Sequence, residues 1–327
     1  MSATVYDGKA LVAKISRRVI REAQRLRKRH HIEVGLGLLL ITGDQVAMAD
    51  SGKIVSLAEQ ADIKVHIERV ARRNVARRFY PTLEEYAASP FIQGIYIQLP
   101  LPTEIVPLAD VMRRLPPEKD VAGLHFVNRG MSTYARHEVT GSVQPPEILA
   151  ACEALIECGF EIRSGNIVVV GSKATSGLVK LLAGYLYDRG SNVRLLRYAS
   201  IESESDAVKT QRLKSLDDEK PKESPIINPQ GEAVIAWANH PGWLTRARLS
   251  PQSTVIDLGY RFERGRVSGD CDFPSVSQSA RIITPVPGGV RNIAHAMVLS
   301  NLIDLIKMQM EKREEVDGKV LKRRFNQ

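Results

Sequence analysis

The unbroken apolar run Gly35–Thr42, G-L-G-L-L-L-I-T, limits the folds open to this 327-residue chain more than any other stretch. A strand built from it is apolar on both faces, which is the pattern of a buried parallel strand and not of a hairpin with one wet side. Parallel strands need crossover helices, and the flanking sequence supplies them. Residues 10–29 place Leu11, Ile15, Val19, Ala23 and Leu26 on one helical face, with arginines opposite. Downstream, a helix capped by Ser51 is predicted over 51–60, then a strand over 64–70, a helix over 82–88, a strand over 92–98 and a helix over 107–115. After an irregular stretch over 116–141 the alternation resumes. Helices are predicted at 148–158 and 174–187, and strands at 166–171, 192–196, 233–237, 254–258 and 281–283. A closing helix carries Ala294, Val298, Leu302, Leu305 and Met308. The expectation is an α/β fold of two domains with mainly parallel sheets, interrupted by a polar, proline-bearing insertion at 200–231 that reads as exposed or partly disordered.

Composition narrows the class. Hydrophobic content of 43% and charged content of 25% are those of a globular protein, and no apolar run reaches membrane-spanning length. Met1–Asp7 has no signal-peptide pattern. The three cysteines, Cys152, Cys158 and Cys271, are odd in number and lack metal-ligand spacing, so a reducing cytoplasm and no bound metal are expected. The net charge of +9 gathers in Arg17–Arg29, Arg69–Arg78 and the Lys319–Arg324 tail. No aromatics interleave with these clusters and no groove-reading motif appears, which favours solvated helix faces over nucleic acid as their explanation.

Two stretches carry candidate chemistry. In Gly94–Pro102, G-I-Y-I-Q-L-P-L-P, strand residues meet prolines that admit neither a helix nor a continuing ladder, so Gln98 becomes a fixed amide at a strand's carboxyl end. The second, Gly171–Gly177, G-S-K-A-T-S-G, joins a strand to a helix in the manner of a pyrophosphate-binding turn, though without full G-x-G-x-x-G spacing. A plain strand–helix turn explains it equally well. The strand that follows ends on Arg194 and Arg197 with no acid to hold a ribose hydroxyl, a preference for NADP over NAD if a dinucleotide binds.

Gln98-Leu-Pro-Leu-Pro102, Lys119-Asp-Val-Ala-Gly123, Val255-Ile-Asp-Leu-Gly259, Gly269-Asp-Cys-Asp-Phe273 and Thr284-Pro-Val-Pro-Gly-Gly-Val290 occur together and in order. With them the chain resembles the bifunctional methylenetetrahydrofolate dehydrogenase/methenyltetrahydrofolate cyclohydrolase family from Asp7-Gly8-Lys9 to about Ile306. The resemblance implies an N-terminal folate-type catalytic domain over 1–145, completed by a returning helix at 290–312. It further implies a Rossmann-type NAD(P)-binding domain over 146–289 containing the insertion, with a basic tail at 313–327, and a cytoplasmic homodimer. It assigns Lys53, from the family's Tyr-x-x-x-Lys helix motif, to work with Gln98 on a tetrahydrofolate derivative. Pro100, Leu101, Asp120, His125, Pro287, Gly288 and Gly289 are the substrate contacts it implies. Gly171, Ser172, Lys173, Gly177, Arg194, Arg197, Asn239, His240 and Thr284 are those for NADP.

The sequence departs from the pattern at Ala49 (for the tyrosine), at Ala122 (for a pterin-gripping aspartate), in the G-S-K-A-T-S-G turn, at Asn239-His240, and at Arg291–Ala294. These departures leave a folate-dependent one-carbon enzyme of reduced or altered chemistry beside two other readings: a silent paralogue that binds a ligand or partner, and a re-purposed one with a different substrate. Of the two family activities, cyclohydrolase is expected to withstand these changes better than hydride transfer.

Overall fold

The computed structural model describes residues 2–102, 104–134, 143–199, 226–228, 233–263 and 265–325. In chain order its elements are β1 (Thr4–Val5), α1 (Lys9–His30), β2 (Gly35–Thr42), α2 (Gln45–Gln60), β3 (Lys64–Ala71), α3 (Val75–Ala88), β4 (Gly94–Ile97), α4 (Leu108–Arg114) and α5 (Phe126–Tyr134). They continue with α6 (Pro146–Glu157), β5 (Asn166–Gly171), α7 (Ser176–Asp188), β6 (Asn192–Arg197), β7 (Ala233–Trp237), β8 (Thr254–Asp257), β9 (Arg261–Glu263), β10 (Arg266–Ser268), α8 (Phe273–Val276), β11 (Ile282–Ile283) and α9 (Gly289–Phe325). The architecture is α/β with parallel sheets. No helix among the described residues is long and apolar enough to cross a membrane.

The chain divides into two compact units. One holds residues 12–146 and 294–327, the other residues 1–11 and 147–293. In the first, the sheet runs β3-β2-β4, all parallel, with Leu36 opposite Val65 on one side and Gly94 on the other. Leu36, Leu38, Leu39 and Leu40 of the central strand are buried, as an apolar strand covered on both faces requires. Leu11, Ile15, Val19, Ala23 and Leu26 of α1 are buried too, which makes the arginines opposite them an ordinary solvated face. Within this unit α9 holds the turn after Lys119 in place. The Asn301 side-chain amide donates to the carbonyls of Val121 and Gln144, each at 2.9 Å. Gly123 in that turn has φ +62°, and a Cβ there would stand 3.0 Å from the Val143 carbonyl oxygen.

In the second unit six parallel strands lie in the order β1-β11-β8-β7-β5-β6. The strand order reverses direction between β5 and β7, and such a switch point opens a crevice at the strands' carboxyl ends. The first eleven residues cluster here, because Thr4 and Val5 pair with Ile282 and Ile283. They do not cluster with residues 12–146, where the expected domain over 1–145 puts them.

Several elements differ from their expected bounds. α2 starts at Gln45, not Ser51, because the Asp44 carboxylate caps it by accepting from the amides of Val46 and Ala47 at 2.8 and 3.0 Å. α3 begins at Val75, about two turns early, and runs through Pro81. α5 lies inside the stretch read as irregular. Most of the 200–231 insertion lies outside the described residues. Its Ile227 and Asn228 are buried, and Asn228 receives hydrogen bonds from the Ser250 amide at 2.8 Å and the Ser250 hydroxyl at 2.5 Å. These two residues belong to the core and not to solvent. The backbone of the basic tail is helical to Phe325.

Replacing Asn301 with leucine leaves two carbonyls without their donor. The expected cost is about 1–3 kcal/mol for each group that finds no other partner, read as a lowered urea midpoint at unchanged slope.

Candidate functional site

In the first unit, β4 delivers Gln98 to the carboxyl edge of the sheet, where Leu99–Pro100 is a cis peptide. Gln98 is buried, and its Nε2 donates to the Leu99 carbonyl at 2.8 Å. The α2 side chain that reaches it is Ser51. The Ser51 Oγ lies 2.8 Å from the Ala47 carbonyl and 3.2 Å from Gln98 Oε1, sharing one proton between two acceptors. Lys53 is on the exposed side of α2 with Ala49, while Ala47, Asp50, Ser51, Ile54 and Ala58 form the buried stripe. The printed contact from α2 to Gln98 is thus made by Ser51, and Lys53 is an exposed residue of the same helix. At 100° per residue, one position along a helix is the difference between Lys53 outside and Ile54 inside.

The same unit holds the other expected substrate contacts that precede residue 146. Leu101 is buried and Pro100 exposed. Asp120 is fully buried, and its Oδ2 accepts from the His125 amide at 2.7 Å and from Asn128 Nδ2 at 2.9 Å. His125 Nδ1 in turn accepts from the Val127 amide at 3.1 Å. Both side chains hold the turn leading into α5 through these contacts. Ala122 is buried beside them.

In the second unit, the G-S-K-A-T-S-G turn follows β5. A Cβ on Gly171 would meet Val179 at 2.8 Å, so glycine permits the close approach of strand and helix. Thr175 braces the turn: its Oγ1 accepts from the Ser172 amide at 3.0 Å and donates to the Trp237 carbonyl at 2.6 Å. Beside the turn lies a cavity of about 630 Å³ lined by Gly171, Ser172, Lys173, Lys180, Arg197 and His240, with the Tyr198 ring stacked on His240 at a centroid distance of 4.0 Å. No carboxylate stands among its described lining residues. Three cations around an aromatic floor suit a phosphorylated nucleoside. Gly177 and Arg194 are exposed and lie outside this lining. Lys180 and Tyr198 were missed in the sequence. Lys180 shares a helix face with Ser176 at i, i+4, the spacing that signals it.

The loops after β7, β8 and β11 meet at the same edge of the sheet. Asn239 takes a left-handed φ of +58°, and its Oδ1 accepts from the Tyr260 amide at 3.1 Å. Arg291 stacks over the Tyr260 ring at 4.2 Å. Thr284 is fully buried, with its Oγ1 accepting from the Asp257 amide at 2.8 Å, so it supports the crevice from below. Pro287 is exposed, Gly288 half-buried and Gly289 buried, in the loop from β11 to α9. Asp257 accepts from the amides of Gly259, Asp270 and Cys271 at 2.9, 3.0 and 2.9 Å. Burial and the neighbouring Asp270 push its carboxyl up to about 7.

Residues 6–122 match the family model for the tetrahydrofolate dehydrogenase/cyclohydrolase catalytic domain. Residues 215–310 match that for the NAD(P)-binding domain of the same family. The chain belongs to the tetrahydrofolate dehydrogenase/cyclohydrolase family. Among its relatives, the bifunctional protein FolD of Desulforamulus reducens is 26% identical over 312 residues, covering 95% of this chain and 99% of that protein. The FolD of Nitratiruptor sp. is 29% identical over 311 residues, covering 93% and 98%. In fold, the chain is similar to Trypanosoma brucei N5,N10-methylenetetrahydrofolate dehydrogenase-cyclohydrolase, a structure complexed with NADP cofactor and inhibitor. There the TM-score is 0.77 at 23% identity, over 95% of this chain and 99% of that one. The Campylobacter jejuni FolD structure gives a TM-score of 0.75 at 24% identity, over 94% and 99%.

For this family member the cavity's donor set fits NADP, with Lys173, Lys180 and Arg197 available to a 2′-phosphate. Replacing Arg197 or Lys173 with alanine is expected to weaken NADP binding about 10-fold each, the lower end of a charge-assisted hydrogen bond, and to leave NAD binding nearly unchanged. Titration calorimetry with both cofactors checks this. A second expectation concerns pH. A carboxyl raised from about 4 to about 7 on folding contributes stability that is fully present below pH ~4 and is lost as pH rises through ~7. Asp257→Asn should flatten that part of the decline in urea stability, relative to the parent protein.

Proposed function

We propose that this chain works in folate-dependent one-carbon metabolism as an NADP-linked methylenetetrahydrofolate dehydrogenase with little cyclohydrolase activity. The observation that carries the reading is the cavity beside the Gly171 turn, where Lys173, Lys180 and Arg197 gather without a described carboxylate. That cavity supports retained cofactor binding despite the altered turn, and so reverses the order in which the sequence ranked the two activities. When bound, NADP supplies the acceptor for the hydride leaving the methylene bridge. Gly171 and Ser172 bring the turn against the cofactor, the three cations select its phosphate, and Asn239 with Tyr260 shapes the far end of the crevice. In the first unit, Gln98, fixed by Ser51 and by its own neighbouring carbonyl, offers a neutral amide to orient the folate. No added charge is imposed on the methenyl cation that forms.

Hydrolysis of that cation needs a group to take a proton from the attacking water. Lys53, the expected candidate, is exposed, while the α2 hydroxyl that contacts Gln98 belongs to Ser51, and this supports a weak second activity. Family resemblance supports a homodimer. The three free, buried cysteines suit a reducing cytoplasm. Sedimentation of the purified protein checks the first, and fractionation of its native cells the second.

The test is a pair of assays on the full-length protein. NADP reduction with methylenetetrahydrofolate is expected to be measurable and to fall at least 10-fold in Gln98→Ala. Methenyltetrahydrofolate should disappear at no more than a few times its uncatalysed rate, with Lys53→Met unchanged. Absence of any NADP reduction overturns the dehydrogenase reading. Fast hydrolysis that Lys53→Met abolishes would return Lys53 to the active site.

A further inference from the structure

We infer that Asp50 and His295 are positioning residues that set the substrate-holding amide of Gln98 by locking α2 to α9. This rests on the reading of the first unit as the folate-binding one. His295 Nε2 stands 3.1 Å from Asp50 Oδ1, and the two side chains are 6% and 2% exposed. Both residues lie in the same compact unit, on helices that are far apart in sequence.

Two facts tie the pair to the site. Asp50 precedes Ser51, and Ser51 is the α2 residue whose hydroxyl reaches Gln98 Oε1 at 3.2 Å. His295 is on the same helix as Asn301, whose amide holds the carbonyls of Val121 and Gln144 around the Ala122 turn. A single pair thus sets α2 and its Ser51 against the helix that also fixes the turn beside Asp120. The depth of Ser51 above Gln98 is then a property of the pair and not of α2 alone.

Energetics favour a geometric role. Burying a carboxylate with an imidazole costs desolvation on both sides, and a well-packed apolar pair of similar volume would stabilise the unit as well or better. The polar pair differs in fixing one rotation of α2. Leucine at 295 would let the helix turn or slide by a fraction of a residue, and a shift of about 1 Å at a substrate-positioning group is enough to weaken its function strongly. In the family's Tyr-x-x-x-Lys spacing read on the buried stripe, the positions are Asp50 and Ile54. Asp50 is thereby the one ionisable residue that the inward face of α2 retains.

Glutamine-selective 15N labelling of the full-length protein provides the test, with the Gln98 side-chain amide assigned from the Gln98→Ala spectrum. Ser51→Ala and His295→Leu are expected to displace that signal in the same direction, while His295→Gln, which keeps a polar contact with Asp50, leaves it near its original place. If His295→Leu fails to fold, Asp50→Asn is expected to give a smaller displacement of the same signal. In calorimetry, Ser51→Ala and His295→Leu should each raise the Kd for tetrahydrofolate at least 5-fold. The double variant should be no worse than the weaker-binding single, since both act through one contact, and NADP affinity should not change. A folded His295→Leu protein with the Gln98 signal unmoved overturns the inference, as do losses that multiply in the double variant. If the parent protein binds no tetrahydrofolate, the functional reading falls, and the Gln98 signal alone still decides the positioning claim.

Discussion

Two buried carboxylates hold the second unit's crevice open. Asp257 ends β8 and collects the amides of Gly259, Asp270 and Cys271, and Asp270 collects those of Ala238 and His240. Five backbone donors from the loops after β7, β8 and β10 converge on a few oxygens. Loops at a sheet edge lose the ladder that satisfied their amides, so a carboxylate in their midst both pairs the donors and fixes the loops' shape. Asn239 holds its left-handed conformation, and His240 faces Tyr198, because the amides at either end of that turn are tethered. Gly259 and Gly269 serve the same cluster: a Cβ on either would run into Asp270 or Asp257.

Much of the scaffold was legible in the sequence for a physical reason. β2, β5 and β7 have the bounds expected, since a strand covered on both faces must be apolar throughout and stops where polarity returns. α1 was equally clear from its stripe. Helix starts were harder. Ser51 and Asp44 are both good caps by composition, and only the structure shows that Asp44 binds the free amides while Ser51 turns inward to Gln98. Lys53 shows the same sensitivity to helix phase: it is exposed, while its neighbour Ile54 is buried. Placing a residue on a helix face needs the phase to within a fraction of a turn, and a motif with Ala49 in place of its tyrosine does not give it.

The cofactor cavity shows the opposite case. Its motif was weak as a pattern, because the G-S-K-A-T-S-G turn lacks full G-x-G-x-x-G spacing. The physics of the pattern survived. Gly171 still allows the turn to approach α7, and Lys180, one helical turn beyond Ser176, adds charge from a position no motif includes. Arg194 and Arg197 looked equivalent on one strand, yet only Arg197 lines the cavity. Among the described residues, cation selection there depends on which side of an edge strand a guanidinium leaves.

The pairing of β1 with β11 has a temporal side. Thr4 and Val5 are made well before their partners Ile282 and Ile283, which lie 278 residues further along the chain. At typical synthesis rates of about 5–20 residues per second, β1 waits roughly 15–60 s for β11 to become available. The opening strand must therefore stay unpaired, or pair wrongly, while most of the protein is made. Its two-residue length limits how much of an open edge it can offer to other chains in that interval.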